Sequence, residues 1–252
     1  MPEGPSIVIL KESVQALQLE GQPLLSVSGT ASIDFKRIRN QKLRSFNSWG
    51  KHFLICFDDC TIRIHLLMFG SYRINERKDS KERLSLVFKD AELNFYTCSV
   101  KLLEGRDEDL YDWSSDIMSR HWAPARALEK LQAHPDALLC DALLDQDIFS
   151  GVGNIIKNEA LYRSGLQPYN TVAAVPVARL RQLIGDTRRY SADFLHWKKE
   201  GTLKAHWAVH TKKVCPKGHT VLKEYTGKTK RRSFFCPLCQ ELYRDGVGKA
   251  GK

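Results

Sequence analysis

The sequence contains no apolar run approaching the ~18 residues that a membrane-crossing helix needs. Its start also lacks the charged-then-apolar pattern of a secretory signal, with Pro2 and Glu3 standing there instead. Both absences point to a cytoplasmic protein with no membrane partner, nucleoid-associated if its source is bacterial. There is no internal repeat, and no low-complexity tract beyond the terminal GVGKAGK, residues 246–252, which reads as a disordered tail. A disulfide framework is missing too, because the seven cysteines are odd in number and come without a secretory signal. Cys56, Cys60, Cys98 and Cys140 lie scattered among apolar residues and read as reduced core thiols. Acidic residues are scarce against basic ones, 29 to 39, which leaves a net charge of +10 over 252 residues. An excess of that size asks for a polyanion, either nucleic acid or an acidic membrane surface.

What is present divides along the chain. Ile7, Leu10, Val14 and Leu17 form a helical stripe that ends at Gly21. From Pro23 to about Glu104 the texture is short and alternating: LLSVS, KLRSFNSW, HFLICF, TIRIHL, SLVFK, ELNFYT and SVKLL, separated by turn signals such as Asp58-Asp59 and Lys89-Asp90. That spacing predicts a sandwich or barrel with the first helix packed on it. An acidic, tryptophan-containing stretch near 105–123 reads as a connection. Helical patterns then follow in ARALEKLQA, ALLCDALLD, IIKNEALYRSG and PVARLRQLIGDTRRYSADFL. A compact basic module begins at about residue 211. The expected fold is α+β and multidomain, with bounds at 1–112, a linker at 113–123, 124–210, 211–245 and the tail.

Five stretches carry chemistry. Proline after an initiator methionine favours removal of that methionine, so Pro2 is expected to begin the mature chain with a secondary amine. Such an amine titrates near pH ~8, and it can attack an aldehyde-like carbon to form an iminium ion. Glu3 beside it is a carboxyl group able to move protons; the plainer alternative is an exposed terminus. Cys215-Pro-Lys-Gly-His219 and Cys236-Pro-Leu-Cys239, sixteen residues apart, fit the two ends of a hairpin closed on one structural zinc ion. Four protein ligands leave no open position for catalysis by that metal. The predicted tip, TGKTKRR, holds Lys228, Lys230, Arg231 and Arg232, suited to phosphates or else a solvated charge run. In residues 143–161, Gly151 and Gly153 permit a tight turn and Asn154 stands where a helix begins, a corner that can hold phosphate. Lys51 falls between two predicted strands in WGKH. His65-Leu-Leu-Met-Phe-Gly70 ends a strand with apolar residues that read as core, or as wedges for a base stack.

Taken together and in order, MPEGP, GKHF, HLLMFG, the LLDQ…GVGN…EAL block and RRSFFCPLCQ resemble the formamidopyrimidine-DNA glycosylase and endonuclease VIII family over essentially the whole chain. The resemblance implies an N-terminal helix plus β-sandwich, a helix–two-turn–helix domain and a zinc-ribbon finger, with damaged double-stranded DNA in a positive cleft between the halves of a monomer. It implies excision of oxidised bases and nicking by β,δ-elimination, with no diffusible cofactor. Carried over residue by residue, Pro2 would attack C1′ and Glu3 would be the general acid/base. Lys51, at the catalytic centre, and Asn154 would hold phosphates flanking the lesion, and Arg231 would do so from the finger tip. Leu67, Met68 and Phe69, Met68 foremost, would fill the space left by the flipped nucleotide. Cys215, His219, Cys236 and Cys239 would bind zinc.

The chain departs from the family pattern in three places. Ser6 stands where the family usually has a second glutamate, which bears on base excision and leaves the Pro2/Glu3 pair intact. The metal ligands are Cys-x3-His and Cys-x2-Cys rather than four cysteines. The stretch from Phe194 to Val214 is short for the loop that caps 8-oxoguanine, which tilts the expectation toward oxidised pyrimidines and hydantoin-type lesions, the endonuclease VIII side. Two rival readings are a non-catalytic binder of damaged or structured nucleic acid with the same fold, and an ordinary zinc ribbon in a transcription or ribosome-associated factor.

Overall fold

The computed structural model describes residues 2–243; the expected tail at 246–252 lies outside them. The chain forms two compact units that divide between Trp113 and Ser114.

The first unit opens with helix α1, Gly4–Gln15, which has a proline in its first turn, where the missing N–H costs nothing. Its apolar stripe, Ile7, Leu10 and Val14, is fully buried. Strand β1 (Ser26–Ser28) and a single helical turn, α2 (Phe35–Ile38), follow, the turn being capped by the Asp34 carboxylate. Seven more strands come next: β2 Ser45–Trp49, β3 His52–Cys56, β4 Cys60–His65, β5 Ser71–Ile74, β6 Leu84–Val87, β7 Glu92–Tyr96 and β8 Ser99–Glu104. They build two four-stranded antiparallel sheets, ordered β1-β6-β7-β5 and β2-β3-β4-β8.

One core joins the sheets and α1. Phe46, Phe53, Ile55, Ile62 and Ile64 of one sheet meet Leu84, Leu86, Leu93 and Phe95 of the other. The Phe53 ring lies 5.8 Å from Phe46 and 5.9 Å from Phe95, a cross-sheet aromatic contact. Of the eight strands, β5 was not foreseen, because SYRI is only four residues long and gains its definition from pairing with β7. The outer face of the second sheet is covered by residues 106–113, which include the short helix α3, Asp107–Leu110. Asp107 is buried and takes bonds from Arg44 and Asn47, while Trp49 Nε1 donates to the Asp112 carbonyl at 3.0 Å. The cysteines expected in the core are buried as reduced thiols, and burial raises Cys56 and Cys60 to about 12 and Cys98 to about 11. At those values they are chemically quiet.

The second unit carries helices α4 (Pro124–Gln132), α5 (Leu139–Ala142), α6 (Asn154–Arg163) and α7 (Val177–Lys199). Leu128 and Leu131 of α4, Ile156 and Ala160 of α6, and Leu180, Leu183 and Ile184 of α7 share its core. Its last element is an antiparallel hairpin, β9 Leu222–Thr226 with β10 Arg231–Phe235. Among the described residues no helix is long and apolar enough to cross a membrane.

Candidate functional site

Pro2 is half-buried at the head of α1, and Glu3, at the position just before the helix, is only 1% exposed. The Glu3 backbone is extended (φ −116°, ψ 172°), and its carbonyl accepts the Ser6 amide at 2.8 Å and the Ile7 amide at 3.4 Å. The positive end of the helix dipole favours an anion there. A carboxylate this deeply placed is held by its surroundings, because a buried charge without partners is too costly to keep.

Lys51 occupies the second position of a two-residue turn joining β2 to β3, where Trp49 pairs with His52. Gly50 precedes it with φ 54°, the left-handed backbone that such a hairpin turn requires and glycine supplies freely. At the far end of β4 the chain makes a tight turn over 66–70, closed by the Gly70 amide on the Leu66 carbonyl at 2.7 Å. Any side chain at Gly70 would overlap that carbonyl, so the turn needs glycine. Inside it Leu67 adopts φ 53°, and its amide donates to His65 Nδ1 at 3.0 Å. Three consecutive apolar side chains are thereby held in solvent: Leu67 at 46%, Met68 at 50% and Phe69 at 79% exposure. This is the reverse of the core reading, and it is an arrangement that folding alone does not reward.

His65 is kept below its ordinary value by burial and by the nearby Lys51 and Arg63, which preserves Nδ1 as an acceptor. His52 is brought down to about 3 by burial, then by Arg63, His65 and Lys51.

In the second unit, Gln146 shapes the loop before α6. Its Oε1 accepts the Gly151 amide at 3.1 Å, and its Nε2 donates to the Leu144 and Val152 carbonyls at 2.7 and 3.2 Å. Gly151 takes φ 95° in this loop. Asn154 then begins α6, with Nδ2 on the Arg232 carbonyl at 2.9 Å and Oδ1 buried without a hydrogen-bond partner. Lys157, fully buried, reaches the same carbonyl at 3.4 Å and Ser233 Oγ at 2.9 Å. Asn158 Nδ2 also approaches that carbonyl, at 3.4 Å, and its Oδ1 accepts the Phe234 amide at 3.3 Å. The start of α6 and the strand carrying Arg231 are therefore fastened together, which brings Asn154 and the exposed Arg231 into one neighbourhood.

Cys215, His219, Cys236 and Cys239 converge, with one ligand atom from each lying within 4.8 Å of all the others. Cys215 Sγ is 3.8 Å from Cys239 Sγ, and His219 Nδ1 is 3.2 Å from the same sulfur. A tetrahedral ion with metal–sulfur bonds of about 2.3 Å requires sulfur–sulfur edges of about 3.8 Å, so the donor set fits a metal. Burial opposes ionisation of Cys215, but the backbone amides of His219 and Lys217, with Tyr162 and Cys239, outweigh it and lower the thiol to about 6. Burial and the crowded sulfurs of Cys236 and Cys215 raise Cys239 to about 11, a repulsion that a divalent cation would relieve.

Sequence reasoning missed the polar groups that hold the hairpin in place. Glu159, fully buried, accepts the amides of Ala208, Val209 and His210 at 2.8–3.1 Å, and Asp141 accepts the Lys228 amide at 2.8 Å. The available signal was the run Lys157-Asn158-Glu159 in the middle of a helix flanked by apolar residues.

A sandwich headed by a helix, a helical unit and a Cys3His hairpin together define the formamidopyrimidine-glycosylase class of fold. Solved structures match it at that level. A viral DNA glycosylase superposes with a TM-score of 0.77 at 21% identity, covering 95% of this chain and 100% of that one. A Lactococcus lactis formamidopyrimidine-DNA glycosylase, crystallised non-covalently bound to DNA containing an abasic site, gives 0.82 at 18% identity, covering 95% and 99%. In sequence, the formamidopyrimidine-DNA glycosylase N-terminal domain matches residues 1–99. Endonuclease 8-like 2 of Bos taurus is 34% identical over 195 residues, 71% of this chain and 58% of its own length. Endonuclease 8-like 3 of Mus musculus is 30% identical over 282 residues, 96% of this chain and 46% of its own. The chain belongs to the formamidopyrimidine-DNA glycosylase and endonuclease VIII family, and it spans about half the length of these curated relatives.

Proposed function

We propose that the chain is a bifunctional DNA glycosylase and abasic-site lyase of base excision repair, acting on damaged double-stranded DNA. The observation that carries the reading is the pairing of Pro2 with a Glu3 carboxyl that is 1% exposed at the head of α1. A solvated terminus would have no reason to bury that group.

The chemistry needs Met1 removed so that the Pro2 amine is free. The target nucleotide is first rotated out of the stack at a cost of ~ a few kcal/mol. The exposed Leu67, Met68 and Phe69 suit the vacated space, Met68 foremost, and Lys51, Asn154 and Arg231 suit the flanking phosphates. The Pro2 nitrogen then bonds to C1′ while the damaged base leaves with the glycosidic electron pair and takes a proton from water. The proton shed by the Pro2 nitrogen passes to the Glu3 carboxylate. Glu3 donates a proton to the ring oxygen as the sugar opens, which gives an iminium ion. Loss of a C2′ proton expels the 3′-phosphate, a second elimination expels the 5′-phosphate, and water releases the enzyme.

Zinc is the metal that best suits three sulfurs and one imidazole, and its role in this reading is structural, with Cys215, His219, Cys236 and Cys239 as ligands. The preference for oxidised pyrimidines and hydantoins is supported by the short path after α7 ends at Lys199. There, residues 203–206 form a 3₁₀ turn and the amides of 208–210 are tied to Glu159.

Borohydride trapping tests the reading. Protein whose N-terminus has been verified by mass spectrometry is incubated with duplexes containing an abasic site, thymine glycol or 8-oxoguanine. The expected result is a covalent adduct mapping to Pro2, with thymine glycol trapped ahead of 8-oxoguanine. Binding to the abasic duplex without any adduct would leave a non-catalytic damage reader, the outcome that Ser6 favours.

A further inference from the structure

The finger tip contains a contradiction in charge. Lys228, Lys230, Arg231 and Arg232 crowd five positions, yet the group packed against the turn between β9 and β10 is a carboxylate, Asp141 of α5. Asp141 Oδ2 accepts the Lys228 amide at 2.8 Å, and Oδ1 accepts the Thr229 amide at 3.4 Å and the Thr229 hydroxyl at 3.3 Å. Gly227 takes φ 68° there, and a Cβ on it would overlap both carboxylate oxygens, so the turn closes directly onto the acid. Asp141 is itself fixed, since its carbonyl accepts the Leu144 amide at 2.9 Å and the Asp145 amide at 3.1 Å. For attraction to a polyanion, a negative charge at this place is a loss. Its hydrogen bonds are the compensation.

We propose that Asp141 is a positioning residue for DNA recognition: by clamping the 227–229 turn it sets the pose from which Arg231 meets a phosphate. The proposal rests on the glycosylase reading only for the identity of the ligand. The next residue of β10 is already pinned through the Arg232 carbonyl to Asn154. With the turn clamped as well, Arg231, the first residue of β10, is held from both sides.

The test compares Asp141→Ala and Asp141→Asn in the full zinc-loaded chain, each with and without Arg231→Ala. Binding is measured on an undamaged duplex and on one containing a tetrahydrofuran abasic analogue, across a salt series. Metal content and thermal midpoint are recorded for every variant. Both substitutions delete the same charge, but only Asn keeps a carbonyl oxygen for the Lys228 amide. If charge alone matters, the two variants bind both duplexes equally, and more tightly than the parent.

The clamp predicts instead that Asp141→Ala loses about tenfold on the analogue, the scale of coupling within one hydrogen-bonded network. Asp141→Asn should lose distinctly less, and Arg231→Ala should cost little further in the Asp141→Ala background. Equal tightening by both variants, with Arg231→Ala costing the same fold in every background, would overturn the proposal. A parent chain that does not favour the analogue over undamaged duplex would count against the glycosylase reading instead. The Arg231 coupling, read on either duplex, would still decide the clamp.

Discussion

Glu159→Gln is a nearly isosteric change at a fully buried position, so its cost can be worked from the hydrogen bonds alone. Oε1 accepts the Ala208 amide at 3.1 Å, the Val209 amide at 2.9 Å and the His210 amide at 2.8 Å. Oε2 accepts the Ala208 amide at 2.9 Å and faces the Arg163 guanidinium at 3.4 Å. Three successive amides thus form a small anion site that is filled from within the protein. Whichever way a glutamine amide sits, one of these oxygens becomes an N–H donor facing other donors. The better orientation keeps Oε1 and loses the Oε2 contacts, removing one or two charge-assisted bonds and weakening the rest. At about 1.5–3 kcal/mol per bond to a charged group, the expected loss is about 3–4 kcal/mol. That is a large share of a typical stability of about 5–15 kcal/mol.

Urea unfolding followed by tryptophan emission reads the change, with Trp207 one of the five tryptophans that contribute. The Trp207 ring lies 4.8 Å from His210, beside the affected amides. The midpoint should fall with little change in slope, and chelator-driven metal release should quicken, because residues 211–214 run from this site into Cys215. A loss under about 1 kcal/mol at unchanged slope would refute the reasoning, since a buried charge with this many donors is not removed so cheaply.

Gly70→Ala forces open the 66–70 turn at a local cost of about 1–3 kcal/mol. Processing of a base-paired lesion should drop at least about tenfold while trapping on a single-stranded abasic site holds, and equal losses on both would deny the turn a wedge role. Lowering pH should destabilise both units, because His52 and His210 are held neutral, at about 3 and about 4, mainly by burial. The unfolded chain binds those protons near pH ~6.5, so each group costs about 2 kcal/mol between pH 7 and pH 5, and a flat urea midpoint over that range would contradict the assignment. Cys239→Ser should abolish metal binding and unfold the hairpin, whose core among the described residues is small: Val209, Cys215, Val221, Phe234 and Cys236, with Tyr162 and Cys239 packed against them. A folded metal-free hairpin by NMR would show that its fastenings to α6 suffice.

The features legible in the sequence share one property, which is that their chemistry is local. Gly50-Lys51 reads as a turn because two residues decide it, and Cys236-Pro-Leu-Cys239 reads as half a metal site for the same reason. The 65–70 turn was half legible. Its glycine and apolar run were plain, but whether Leu67, Met68 and Phe69 face core or solvent depends on the left-handed Leu67 and the His65 bond, which hydropathy does not register. Strand β5 escaped because its pairing with β7 stabilises it more than its own composition does.

Asp141, Lys157 and Glu159 were illegible for a deeper reason. A charged residue in a helix is assigned to solvent by default, and only its partners can overturn that. Here the partners lie far along the chain: 228–229 for Asp141, 232–233 for Lys157 and 208–210 for Glu159. All three sets belong to the hairpin or to the segment that enters it. A module with so small a core cannot be positioned by apolar packing, since too little area is buried to resist its motion. Directional bonds to fixed helices can do what that packing cannot, and they resist displacement most strongly where the bonded group is charged and dry. The residues that composition marks as surface are therefore the ones that hold the finger in place.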